Sequence, residues 1–262
     1  MGDGEESIQD QPGSGGLIKW LQAKYRKSGL QRRLSPNGWW LRAQVGEDLE
    51  SRFARWDPEL VAETNAYIDS LEEEGAERAK DQPKVGGGGS YYALYFLTRA
   101  LRPANVLETG VARGWSSAAI LAGLFQNEHG YLMSSDRPPG SVNSEDDVGC
   151  VVPERFYSRW QLCKKDDASC LPELLENLES IDMFHYDSDK SYAGREYAIN
   201  MVWPYMSPGS VIVMDDVKDN AFFKDWVTQR GLRFSVFPKD PKSRHHGAKK
   251  NRRNNLIGLV WL

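Results

Sequence analysis

Acidic residues recur in this chain at the ends of short apolar runs. Glu108 closes "NVLE", Asp136 closes "YLMSSD", and Asp166 and Asp167 follow "WQLCKK". Behind Glu108 comes "TGVARGWSS", in which Gly110, Ala112 and Gly114 make a turn that leads into a small-residue helix. Glycines let backbone approach a ligand closely, and the helix start offers its amides and the Ser116 hydroxyl to a carboxylate or phosphate. Glu108 would repel a pyrophosphate but suits a cationic amine, so the ligand should carry both charges. The spacing is E-x-G-x-x-x-G, which differs from the G-x-G-x-x-G of dinucleotide folds, and no G-K-[ST] follows. Asp136 stands where a strand-end carboxylate accepts hydrogen bonds from ribose hydroxyls. Asp166 or Asp167 could receive an adenine amino group, with Asp166 favoured by its distance from Pro172. Together these acids describe an adenosine that bears an amino acid.

The elements that must position them alternate. Seven apolar runs, from "NVLETG" to "NLIGLVWL", are separated mostly by helical stretches such as "SSAAILAGLF" and "NAFFKDWVTQRG". Such alternation predicts an α/β fold, a doubly wound and mostly parallel sheet with helices on both faces. Only a basic loop, "KDPKSRHHGAKKNRRN", lies between the last two runs, so the last strand should return antiparallel. Ahead of the sheet, Asp57 and Pro58 mark the start of a helix over 58–80. The stretch 17–34 reads as a basic amphipathic helix carrying Trp20 and Tyr25. It is expected to pack on its own domain or on a second copy in a homodimer, without stable membrane anchoring. The organisation expected is a disordered tail over 1–16, a helical cap over 17–86, and a ligand-binding domain over 87–262.

With these residues in view, "VLETGVARGWSS" resembles motif I of the class I S-adenosylmethionine-dependent methyltransferases, whose fold is Rossmann-like. The resemblance runs over roughly residues 87 to 262 and implies S-adenosylmethionine as cofactor. The later segments are similar to a bacterial small-molecule branch with a strand-end D-S-x-H-x-Y and a later D-D. Lys190 stands where histidine is common in that branch. The resulting D-x-x-K of "DSDK" resembles the metal-dependent catechol and caffeoyl-coenzyme A O-methyltransferases. That resemblance implies a divalent metal such as Mg²⁺ on Asp187, Asp215 and Asp216, with Asp187 also near the cofactor and Lys190 as catalytic base. A hard cation held by carboxylates can lower the pKa of a substrate hydroxyl and aim it at the methyl group. The acceptor expected is a hydroxyl on a small molecule, a sugar or a phenolic natural product.

Two other readings compete. A metal-independent N- or O-methyltransferase would use Asp187 on the cofactor alone, and an inactive cofactor-binding protein would use its basic surfaces for interaction. A net charge of −4 argues against a dedicated nucleic-acid binder. The three cysteines lack C-x-x-C spacing and read as reduced thiols in a cytoplasmic protein. No apolar run is long enough to span a bilayer, and the acidic N-terminus is unlike a signal peptide.

Overall fold

The computed structural model describes residues 36–80, 89–137, 148–176, 178–238 and 255–262. All seven apolar runs form strands: β1 (Asn105–Thr109), β2 (Tyr131–Ser135), β3 (Trp160–Cys163), β4 (Ile181–Tyr186), β5 (Met206–Met214), β6 (Arg233–Pro238) and β7 (Leu256–Trp261). They share one sheet in the order β3-β2-β1-β4-β5-β7-β6. The first five strands pair in parallel. β7 is antiparallel to both of its neighbours, as the absence of a helix before it implied. The chain winds outward from β1 through β3 and then crosses back to β4, so the order reverses between β1 and β4. Ligands of such sheets lie at the carboxyl ends beside this reversal.

Eight α-helices accompany the sheet among the described residues: α1 (Pro36–Gln44), α2 (Leu49–Ala54), α3 (Pro58–Arg78), α4 (Tyr91–Leu101), α5 (Trp115–Gln126), α6 (Asp167–Leu175), α7 (Tyr192–Val202) and α8 (Phe222–Gln229). α3 starts where the sequence indicated, with Pro58 in its first turn and the Asp57 carboxylate accepting the Leu60 amide at 2.9 Å. Its buried residues, Val61, Thr64, Ile68, Leu71 and Gly75, recur every three or four positions and form one stripe. Gly75 lets Trp115 close on that stripe, since a Cβ there would stand 2.5 Å from the indole. α4 is buried from Tyr91 to Thr98.

Neighbouring residues of each central strand enter opposite cores, as the period of two requires. Val106, Met183 and Val213 join the core with α3, α4 and α5. Leu107, Phe184 and Ile212 join the one with α6, α7 and α8. α1 and α2 were not anticipated. Trp40 of α1 stacks on Phe234 at 5.4 Å, Val45 just after it bridges to Val236 of the edge strand β6, and Phe53 of α2 stacks on Phe96 at 4.0 Å.

The cysteines correct the sequence reading. Cys163 and Cys170 form a disulfide with Cα atoms 5.9 Å apart, and Cys150 stands outside it. The partners lie seven residues apart because the chain reverses after β3 and α6 runs back against it. A strand-to-helix staple of this kind has no signature spacing.

The tail 1–16, the basic helix 17–34, the glycine loop 81–88 and the basic loop 239–253 lie outside the described residues. No helix among the described residues is long and apolar enough to cross a membrane.

Candidate active site

Each acid at the carboxyl edge of the sheet is placed by one more step of the parallel ladder. The amide of Asp136 donates to Cys163 O, that of Asp187 to Thr109 O, and that of Asp215 to Tyr186 O, at 2.8–3.1 Å. The carboxylates therefore leave the sheet together, over the reversal between β1 and β4. A cavity of about 690 Å³ opens there. Of the residues singled out from the sequence, Gly110, Ala112, Asp136, Asp166, Asp167, Asp187, Lys190 and Asp216 line it.

The glycine turn forms the floor. Gly110 has φ of +87°, and a Cβ on it would lie 2.6 Å from the Asp187 carbonyl, so only glycine lets β1 and β4 meet there. Ala112 also adopts a left-handed conformation, with φ of +48°. Its amide donates to the Asp136 carboxylate. Burial is the main influence on Asp136 and pushes its pKa up to about 6. Ser116, in the first turn of α5, is fully buried, and its hydroxyl has no partner among the described residues. An orphaned hydroxyl beside a glycine turn fits a polar ligand group there.

Glu108 departs from expectation. It is fully buried, and its carboxylate takes the Ser117 hydroxyl at 2.5 Å, the Ser134 hydroxyl at 3.0 Å and His185 Nδ1 at 3.1 Å. Strand register causes this, because Ser134 on β2 and His185 on β4 flank Glu108 directly. The carboxylate is engaged within the protein and braces the glycine turn from beneath. His185 is its partner on β4.

Asp166 and Asp167 divide their work. Asp166 caps α6 by accepting the Ser169 amide at 2.9 Å, and these hydrogen bonds hold its pKa below the usual value. Asp167 is largely buried, which raises its pKa, and it accepts from Ser135 at 2.9 Å and from Ser188. Ser188, unnoticed in the sequence, thereby ties the Asp187 turn to α6.

Asp187, Asp215 and Asp216 converge. One carboxylate oxygen from each lies within 4.8 Å of the other two. Around a Mg²⁺-sized ion, with oxygens at about 2.1 Å, octahedral neighbours stand about 3 Å apart and opposite ligands about 4.2 Å. Three hard carboxylate oxygens brought this close are the donor type that such an ion takes. Lys190 is poised at the same point: its ammonium donates to the Asp187 carbonyl at 2.9 Å and to the Asp187 carboxylate, and lies 3.6 Å from Asp216. Asp216 is in a left-handed conformation, with φ of +49°. Arg195, which no sequence motif singled out, donates to the carbonyls of both Asp215 and Asp216 at 3.1 Å.

Residues 107–217 match the family model described as a methyltransferase domain. Curated proteins give no significant sequence match. Among solved structures, the chain is similar to an O-methyltransferase from Bacillus cereus in complex with S-adenosylhomocysteine. That match has 17% identity and a TM-score of 0.54, over 75% of this chain and 91% of that one. It is similar to the cofactor-bound Rv0187 from MTB at 15% identity and a TM-score of 0.53, over 96% of this chain and 98% of that one. The O-methyltransferase TomG of tomaymycin synthesis from Streptomyces achromogenes, in complex with S-adenosylmethionine, matches at 15% identity and a TM-score of 0.53, over 86% of this chain and 95% of that one. Residues 107–217 thus match a methyltransferase domain, and the described sheet has the fold of the methyltransferases to which the chain is similar.

Proposed function

We propose that this chain moves the methyl group of S-adenosylmethionine to a hydroxyl oxygen of a small molecule, with a divalent cation on Asp187, Asp215 and Asp216. The observation that carries the reading is the meeting of those three carboxylates with Lys190 at one end of the cavity whose floor is the glycine turn. The names of the solved neighbours, O-methyltransferases, support oxygen as the acceptor atom.

Methyl transfer is an in-line displacement in which an oxygen attacks the sulfonium methyl and sulfur leaves with the bonding pair. The difficulty lies in generating the oxyanion and holding it in line. A Mg²⁺-like ion, when bound, would polarise the acceptor hydroxyl and lower its pKa. Lys190, once released from Asp187 and Asp216 and having given its own proton to solvent, would take the hydroxyl proton as the neutral amine. Asp136 would accept hydrogen bonds from the ribose, and Ser116 with the α5 amides would meet the amino-acid end. The acceptor class, a sugar or a phenol, is carried over from the resemblance alone.

A second reading rests on Lys190 itself. Its ammonium already places a positive charge among the same carboxylates, so a metal-independent enzyme could use these residues as an ion-paired wall. Calorimetry of S-adenosylhomocysteine and Mn²⁺, with methyl transfer assayed across a panel of sugars and phenols with and without chelator, separates the two. The metal reading requires Mn²⁺ binding at the acids and loss of turnover in excess chelator. Full turnover in chelator leaves the metal-independent enzyme, and a protein that binds no S-adenosylhomocysteine sinks both.

A further inference from the structure

Arg195 is among the largest fully buried side chains of the protein, at 1% exposure. Removing a guanidinium from water costs on the order of several kcal/mol unless its donors are well used. Here two nitrogens of its fork go to two successive backbone carbonyls, those of Asp215 and Asp216, each at 3.1 Å. The guanidinium also lies over the Tyr186 ring, 5.7 Å from its centre. The carboxylates of Asp215, Asp216 and Asp219 supply the opposing charge. Arg195 comes from α7, whose start is fixed by Ser191 accepting the Gly194 amide at 3.0 Å, and Ser191 in turn is held by Asp189.

The carbonyls it holds belong to a turn that needs holding. Asp216 is a non-glycine residue with a left-handed backbone, a conformation that costs free energy and persists only where its surroundings enforce it. The reversal at Asp216 is what lets two consecutive side chains share one site, since consecutive residues of an extended strand would point to opposite faces. Three carboxylates within 4.8 Å also repel one another, and Lys190 answers that charge from the cavity side alone. Arg195 answers it from behind, where no ligand reaches. A lysine could not do the same, because one ammonium lacks the planar fork that spans two carbonyls.

We propose, resting on the metal reading above, that Arg195 is a positioning residue that fixes the Asp215–Asp216 turn and so sets the spacing of the carboxylates presented to a divalent cation. It touches neither cofactor nor acceptor.

The test compares the full-length parent with Arg195→Lys and Arg195→Met, using Mn²⁺ and S-adenosylhomocysteine as separate calorimetric probes alongside thermal melts. We expect both variants to keep the parent's affinity for S-adenosylhomocysteine, since the Arg195 guanidinium donates to the Asp215 and Asp216 carbonyls and not to the glycine turn or Asp136. Mn²⁺ affinity should fall by about 10- to 100-fold, as when groups that orient metal ligands are removed elsewhere. Arg195→Lys should retain more of it than Arg195→Met. If Arg195→Met does not fold, the lysine variant decides. Parent-like Mn²⁺ affinity in Arg195→Lys overturns the proposal, and so does loss of both ligands in equal proportion, which would mark a purely structural arginine. A parent that binds S-adenosylhomocysteine but no Mn²⁺ overturns the metal reading itself, and this inference with it.

Discussion

At Asp136, the proposed ribose contact and stability pull in opposite directions. The folded protein raises its pKa from the ordinary 3.8 to about 6, chiefly by burial, against the amides of Ala112 and Val111. Between those values the folded chain holds a proton that the unfolded chain has released. The stability this adds is complete below about pH 4 and is lost as pH rises through 6. At about 1.4 kcal/mol per unit, the ionised group costs the protein up to about 3 kcal/mol at neutral pH. We therefore expect Asp136→Asn to melt above the parent at pH 7.5 and close to it near pH 4. The same variant should bind S-adenosylhomocysteine more weakly by about 1 to 3 kcal/mol, the worth of a charge-assisted hydrogen bond. Calorimetry that finds unchanged affinity would remove Asp136 from the ribose. Lys190 makes the converse case, as a cation that competes with any metal for Asp187 and Asp216. Lys190→Met should bind Mn²⁺ more tightly than the parent while methyl transfer falls by about 10² to 10⁴, the range for lost general-base catalysis. Weaker Mn²⁺ binding in that variant would show that the lysine supports the acids in some way other than by charge. The acids and glycines were legible in the sequence because strand ends and turns advertise themselves. The engagement of Glu108 was not legible because its partners, Ser134 and His185, come from other strands, and register is invisible until the sheet is built.

Among the elements, β3 and α6 are joined most directly. The Cys163–Cys170 disulfide closes a short loop whose residues include Asp166 and Asp167, both on the cavity wall. Closing a loop of about eight residues stabilises a fold by roughly 2.5 kcal/mol on the chain-entropy account. Reductant should therefore lower the urea midpoint and weaken S-adenosylhomocysteine binding, and Cys170→Ser should show the same loss with no further response to reductant. Identical urea curves with and without reductant would mean that the pair does not staple the loop in solution. The seven strands were readable because buried parallel strands are continuous apolar runs. Helices α1 and α2 were not, since "PNGWWLRAQ" and "LESRFA" are short and mix arginines with aromatics, and their apolar partners, Phe234 and Phe96, lie far along the chain. Arg195 escaped notice for a related reason: in "YAGREYAIN" a charged residue reads as solvated, and only the packing of α7 under the Asp215–Asp216 turn reveals otherwise.

For the molecule as a whole, the two ligand positions proposed above share one edge of one sheet and lie on different strands. The proposed cofactor position rests on β1, β2 and the start of α5, whereas the proposed cation position rests on the ends of β4 and β5. A ligand that binds only the folded chain stabilises it by about 2.7 kcal/mol at one hundred times its dissociation constant. In a chain of 262 residues, 1 kcal/mol corresponds to roughly 2 to 4 °C. S-adenosylhomocysteine and Mg²⁺ should therefore each raise the melting temperature by about 5 to 10 °C when saturating. Asp215 allows the two effects to be separated, because it belongs to the acidic group and is fully buried, away from the cavity wall formed by the glycine turn. In Asp215→Ala the shift with Mg²⁺ should vanish or require far higher concentrations, while the shift with S-adenosylhomocysteine should persist. Its amide, which extends the ladder to Tyr186, is unaffected by the substitution, so the strand end should keep its place. Loss of both shifts in that variant would mean that the acidic turn supports the whole carboxyl edge. Retention of a full Mg²⁺ shift would mean that the cation binds without Asp215, and the ligand set would reduce to Asp187, Asp216 and groups of another kind.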